Sequence, residues 1–367
     1  MEYETPLFFH VMDYAGRADG DVIDMVSGNP DWGSPPALAE GLHEYADLGG
    51  SDFQYPPSHG LLELREEIAA RRNVDVERVI VTIGGGGANY LAMAAALETR
   101  SGSEFLLTDP VYPYYPGKTQ MLGGTPRFVP ADEDGTLDPE EVRARTSDET
   151  AAIVINTPNN PTGAVYDKET MAELVAIAEE HDALLISDEV YDHFDFSGQF
   201  TSALSLDSEN AIITNSFSKT LAVTGFRVGY AIFPDDQDLI DRARGRHMLV
   251  NVASPRPSQY AVLSALQNVE PEYHEATREL LYERVQTFTD ALDAAGAQYT
   301  EPRGSFYVMA RFDGFPGTLE NVERLIDEAG VAGMPGAGFG ESRKDWLRFA
   351  LVTPRVEEAA DRLTSYF

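Results

Sequence analysis

NSFSKTLAVTGFRVGY (215–230) is the stretch from which the rest of the chain can be read. It continues an apolar run, AIIT (211–214), with the composition of a buried strand. Lys219 sits among Ser216, Ser218 and Thr220, and Arg227 follows eight positions later. The chain has only four lysines (Lys118, Lys168, Lys219 and Lys344) among 27 basic residues, so arginine carries positive charge almost everywhere else. A primary amine can form an imine with a carbonyl, and a guanidinium cannot. Ser216, Ser218 and the rigid fork of Arg227 could bind a phosphate. Taken alone, the stretch could equally hold a solvated lysine near a helix start.

Outward from this segment, short apolar runs alternate with helical patterns. Strands are expected at RVIVTI (78–83), EFLLTD (104–109), PRFVP (126–130), AAIVIN (151–156), ALLISD (183–188), AIITNS (211–216) and GYAIFP (229–234). Met171, Leu174, Val175 and Ala178 recur at helical spacing between two of them. Such alternation predicts an α/β fold with a largely parallel sheet between helices. Ligands of such sheets gather at the carboxyl ends of the strands. From about residue 256 the pattern changes to two helices, a strand at 305–312, a helix near 318–329, a strand at 346–352 and a last helix from Pro354. This predicts a large domain over 46–255 and a smaller α+β domain over 256–367, with residues 1–45 packing against the smaller one.

Three further motifs follow strands. IGGGGANYLAMAAAL (83–97) offers four glycines leading into a helix, where backbone amides can approach an anion. It is neither a dinucleotide fingerprint nor a P-loop. NTPNNPTGAVY (156–166) is in part a turn, but Asn159 and Asn160 stand where an amide could donate to a ligand oxygen. LLISDEVYDHF (184–194) ends an apolar strand on Asp188. A carboxylate buried there needs a cationic or donor partner, and a protonated pyridine nitrogen would serve. Tyr191 lies in the same loop. An anion cradle, oxygen donors, a buried carboxylate and an amine beside phosphate ligands together suit a phosphorylated pyridine aldehyde.

Composition excludes other chemistries. There is no cysteine, hence no disulfide, thiolate metal site or cysteine nucleophile. The seven histidines form no close ligand pair, so no metal is expected. A net charge of −34 repels nucleic acid and anionic membranes. With so few lysines, that charge matches adaptation to high salt, where screening makes it tolerable. The start lacks a secretory leader pattern, and the longest apolar stretch, YLAMAAAL (90–97), is far short of the ~20 residues of a membrane span. A cytoplasmic protein is expected.

In this order the motifs resemble those of the class I/II aminotransferases, the aspartate-aminotransferase-like fold type I enzymes of pyridoxal 5′-phosphate. The family's N-P-T-G stands as Asn160–Gly163, its D-x-x-Y as Asp188 and Tyr191, and its S-x-S-K with a later arginine as Ser216–Lys219 and Arg227. Its G-x-P-D stands as Gly28–Asp31, and its P-x-Y-x-x-Y as Pro110, Tyr112 and Tyr115. Its Y-x-x-x-x-G-x-x-x-L-R stands as Tyr55, Gly60, Leu64 and Arg65. The resemblance runs nearly end to end.

The resemblance implies a role for each position. Lys219 would hold the cofactor as an imine and then act as base. Asp188 would pair with the pyridinium nitrogen, and Asn160 and Tyr191 would bind the phenolic oxygen. The Gly85 and Gly86 amides, Ser216, Ser218 and Arg227 would take the phosphate, and Tyr112 would stack on the ring. Tyr55 would reach the phosphate of a neighbouring subunit in a homodimer with shared active sites. Arg348 would clamp the substrate carboxylate near the Gly28 backbone, with Asn160 close by. The implied reaction moves an amino group from an α-amino acid to a 2-oxo acid by a ping-pong route. The alternatives on the same fold are a histidinol-phosphate-type aminotransferase and a C–S β-lyase. A non-catalytic regulator is disfavoured by the intact Lys219 and the acidic charge. Arg244, Arg246 and Arg256 are the candidates for a second anion site on the substrate side.

Overall fold

The computed structural model describes residues 7–367. Helix α1 (Leu7–Arg17), strand β1 (Ile23–Asp24), α2 (Pro36–Asp47) and α3 (Leu62–Arg72) open the chain. Alternation then begins with β2 (Val79–Ile83), α4 (Gly84–Thr99), β3 (Glu104–Asp109), α5 (Tyr114–Met121), β4 (Thr125–Pro130) and α6 (Pro139–Arg145). It continues through β5 (Thr150–Asn156), α7 (Lys168–Glu180), β6 (Leu184–Asp188), β7 (Ala211–Ser216), the single turn α8 (Phe217–Thr220) and β8 (Val228–Ile232). Helices α9 (Gln237–Asn251), α10 (Arg256–Asn268) and α11 (Pro271–Ala294) follow. The end comprises β9 (Gln298–Tyr299), β10 (Tyr307–Arg311), α12 (Leu319–Ala329), β11 (Val331–Ala332), β12 (Met334–Pro335), β13 (Leu347–Ala350) and α13 (Val356–Tyr366).

The α/β architecture is as expected. Seven strands form one sheet in the order β2-β8-β7-β6-β5-β3-β4. All neighbours are parallel except β8, which runs antiparallel to both β2 and β7. Strands β5, β6 and β7 are buried along their whole length, as strands covered on both faces must be. Successive residues feed opposite apolar layers. Val79, Val81, Ile153 and Ile155 join one cluster, while Ile80, Ala152 and Val154 join the other. Asp167 caps α7 by accepting from the Thr170 amide at 2.9 Å, and the apolar stripe of that helix faces the first cluster.

A second core joins α1, α11, α12 and α13 to a small antiparallel sheet of order β12-β13-β10-β9. Strand β1 pairs with β11. The packing divides differently from the expected boundaries at two helices. Leu38 of α2 and Ala261, Val262, Ala265 and Leu266 of α10 belong to the large sheet's core. Their short apolar stripes complement each other there, although sequence position alone put both helices with the smaller body. The glycine run also differs. Helix α4 starts at Gly84 itself, so the four glycines are its first turn rather than a loop before it.

Candidate active site

Register at the carboxyl ends of β5, β6 and β7 aligns Asn156, Asp188 and Thr214 in a row. Asp188 is buried, and its Oδ2 accepts from Tyr115 Oη at 2.6 Å and Asn89 Nδ2 at 2.7 Å. Thr214 orients Asn89 by donating to its Oδ1 at 2.8 Å. Oδ1 of Asp188 accepts only the Val190 amide, at 3.2 Å, which leaves room for one more donor. Burial raises the carboxyl above its usual range, while the Tyr115 and Asn89 hydrogen bonds oppose that shift. A cation at Oδ1 would restore the ionised form.

Lys219 lies in the turn after β7. Its Nζ donates to the Gly28 carbonyl at 2.6 Å. Burial, then the charges of Arg348 and Arg227, push the amine down to about 8. It stands at the junction of two cavities, of about 230 Å³ and about 530 Å³. Gly85, Gly86, Asp188, Ser216, Ser218 and Arg227 line the smaller one; Gly28 and Arg348 line the larger. Asn160, Tyr112 and Tyr191 line both.

The first turn of α4 presents free backbone N–H groups to the smaller cavity, at the positive end of the helix dipole. Arg227 closes this end; its Nη1 donates to the Thr224 carbonyl at 2.7 Å and lies 3.5 Å from Ser218 Oγ. Gly84 has φ +64°, and a Cβ there would overlap the Arg227 guanidinium. Among the described residues, no acidic side chain besides Asp188 lines this cavity. The donors, the glycine that keeps the arginine close and the lone carboxylate fit a phosphorylated pyridine aldehyde, with Lys219 between as its amine partner.

Arg348 comes from β13 of the second core. It is 5 % exposed, yet no carboxylate pairs with it among the described residues. Its guanidinium lies over the Tyr307 ring at 4.6 Å and the Phe339 ring at 5.1 Å, and donates to the Val26 carbonyl. Its Nε is buried without a partner. Asn160 Oδ1 is 3.5 Å from its Nη1. Tyr191 and Tyr307 hydroxyls stand 3.4 Å apart.

The structure thus brings together Gly28, Gly85, Gly86, Tyr112, Asn160, Asp188, Tyr191, Ser216, Ser218, Lys219, Arg227 and Arg348. Tyr55 stands apart, 82 % exposed and off the lining of either cavity of its own chain. Asn159 is turned to local work: it donates to the Asn156 carbonyl and accepts from the Thr162 amide and hydroxyl. Arg244, Arg246 and Arg256, candidates for a second anion site, line neither cavity of their own chain. They pair with Glu77, Glu98 and Asp52. Asn89, Thr214 and Tyr307 were missed, because nothing in their local sequence marks them. Tyr115 had a place in a motif but no role.

Comparison with known proteins agrees over nearly the whole chain. The family described as aminotransferase class I and II matches residues 20–363. The aspartate/prephenate aminotransferase of Thermus thermophilus is 33% identical over 358 residues, 94% of this chain and 91% of that protein. Aromatic-amino-acid aminotransferase 2 of Thermococcus litoralis is 32% identical over 372 residues, 96% and 93% of the two chains. The solved structure of Thermus thermophilus aspartate aminotransferase with maleate superposes with a TM-score of 0.89 at 31% identity, covering 99% of this chain and 97% of that one.

Proposed function

The chain belongs to the class I and II aminotransferases and transfers amino groups with pyridoxal 5′-phosphate, and from this we propose how its own residues divide the work. When bound, the cofactor supplies an aldehyde that takes up an amine and a protonated ring that draws electrons from the attached carbon. The α4 amides at Gly85 and Gly86, with Ser216, Ser218 and Arg227, hold its phosphate. Asp188 holds the ring nitrogen protonated, and Asn89 and Tyr115 keep that carboxylate in place. Asn160 and Tyr191 would donate to the ring's phenolic oxygen, and Tyr112 would pack against the ring.

Arg348 receives the substrate carboxylate with its fork. The observation that carries this reading is a buried guanidinium that has no carboxylate partner among the described residues and keeps an orphaned Nε. Lys219 Nζ would be the base that takes the proton from the substrate Cα and holds it beside the site. Its lowered basicity leaves a neutral amine available near pH 8 to take up that proton. Two successive half-reactions on one site give ping-pong kinetics.

The working form is read as a cytoplasmic homodimer. Tyr55 (82 %), Leu249 (83 %) and Val250 (54 %) are too apolar to be left so exposed, and Tyr55 has no site to serve within its own chain. The −34 charge supports a high-salt setting. No described helix is long and apolar enough to cross a membrane.

The test is chemical. Purified protein should carry a yellow chromophore that borohydride fixes to the Lys219 peptide. Attachment at Lys118, Lys168 or Lys344 would sink the assignment.

A further inference from the structure

The larger cavity, about 530 Å³, extends from Lys219 and Arg348 to the N-terminal helix. Leu7 and Phe8 of α1, Tyr114, Met334 and Phe339 form much of its wall. Their approach to one another is close: a Cβ on Gly338 would stand 3.4 Å from Met334 Cε and 3.7 Å from Leu7 Cδ1. Among the described residues, the only cations on this wall are Lys219 and Arg348, and no acid lines it. Both cations already have tasks in the proposed reaction.

The arginines that could have served a second carboxylate are paired with acids of their own chain. Arg244 holds Glu77 at 2.8 Å, Arg246 holds Glu98, and Arg256 holds Asp52 at 3.2 Å. Lys118 is off the wall, its Nζ 5.5 Å from the centroid of the Tyr114 ring. A side-chain carboxylate placed here would lose its hydration with no further cation from the described residues of its own chain in return. The protein's net negative charge adds to that penalty. An apolar side chain meets the opposite situation, since its surface leaves water against Leu, Phe, Met and Tyr atoms.

We propose that the amino acid taken by this site has a large, uncharged side chain, aromatic or branched aliphatic, and not a second carboxylate. The inference rests on the aminotransferase reading and sharpens it at the substrate. It departs from the aspartate named for several of the relatives.

The test uses the holoenzyme. L-phenylalanine, L-leucine and L-aspartate are each added without an acceptor, and conversion of the cofactor to its amine form is followed by absorbance. Binding of 3-phenylpropanoate and succinate, which lack the amine, is measured separately by calorimetry. The expected result is at least a tenfold higher rate constant per unit concentration for phenylalanine or leucine than for aspartate, with 3-phenylpropanoate bound at least tenfold tighter than succinate. Faster conversion of aspartate with tighter succinate overturns this inference and leaves the aminotransferase standing. If no amino acid converts the cofactor, or if ammonia and a 2-oxo acid appear without the amine form, the reading beneath it falls as well.

Discussion

The Nζ of Lys219 donates to the carbonyl oxygen of Gly28 over 2.6 Å, joining residues 191 apart in the chain. A Cβ on Gly28 would overlap the Tyr307 hydroxyl and stand 3.5 Å from that amine. The N-terminal segment therefore meets the reactive turn by backbone alone. This contact keeps the amine in place but gives it no counter-charge. Two arginines, Arg348 and Arg227, act on it from a distance.

The titration of Lys219 follows from that arrangement. In cofactor-free protein, an amine-reactive label should attach to Lys219 with a midpoint near pH 8. Removing a neighbouring cation lets the proton stay to higher pH, so Arg348→Met should move the midpoint upward. Because the folded value lies below the unfolded one, the unfolded chain binds more protons between them. The cofactor-free fold should therefore gain stability as pH rises from about 8 toward the ordinary lysine value. Peptide mass spectrometry across pH reads the midpoint; a value near ~10.4 in the unaltered protein would contradict the account.

Arg348 is costly until it finds a carboxylate. Arg348→Met should stabilise the cofactor-free protein by ~1–3 kcal/mol, since a buried charge is exchanged for an apolar side chain of similar length. The same change should lower kcat/KM by ~10²-fold or more, because two charge-assisted hydrogen bonds are lost. Thermal melts and steady-state kinetics on one preparation test both signs together. A destabilised variant with unchanged kcat/KM would assign the arginine a purely structural part.

Gly84 and Gly86 are adjacent in character but not in tolerance. Gly84 has φ +64° and faces Arg227, so Gly84→Ala combines backbone strain of ~1–2 kcal/mol with displacement of the guanidinium. Cofactor affinity should fall with it. Nothing lies within 4 Å of a Cβ on Gly86, so Gly86→Ala should be neutral or stabilise by ~0.4–1 kcal/mol and keep the cofactor. Cofactor dissociation constants and melts distinguish the two; equal losses would mean that the turn works by glycine content rather than by geometry.

Tyr115 supports the carboxylate that faces the ring nitrogen. Tyr115→Phe removes the 2.6 Å donor from Oδ2 and leaves burial to raise Asp188 further. A larger share of the carboxyl is then neutral, and kcat should fall ~10-fold. Asp188→Asn removes the charge outright and should cost more, ~10²-fold or beyond, with circular dichroism unchanged. A Tyr115→Phe enzyme with full kcat would show that Asn89 alone suffices.

Sequence by itself determined what depends on neighbours along the chain. Alternating apolar runs specified strands, since each side chain must face one of two buried layers. Glycines at 84–87, the turn at Asn160–Gly163 and Lys219 among hydroxyls could be read because each motif is contiguous and follows a strand. Tertiary structure decided what depends on sheet order and register. Only with β6 between β5 and β7 do Asn156, Asp188 and Thr214 align, and only then do Asn89 and Tyr115, 99 and 73 residues away, reach one carboxylate oxygen. Whether an arginine is free or spent is likewise decided by distant partners. Among the described residues Arg348 keeps its charge unpaired while Arg244, Arg246 and Arg256 do not, because folding brought acids to three of them and aromatic faces to the fourth.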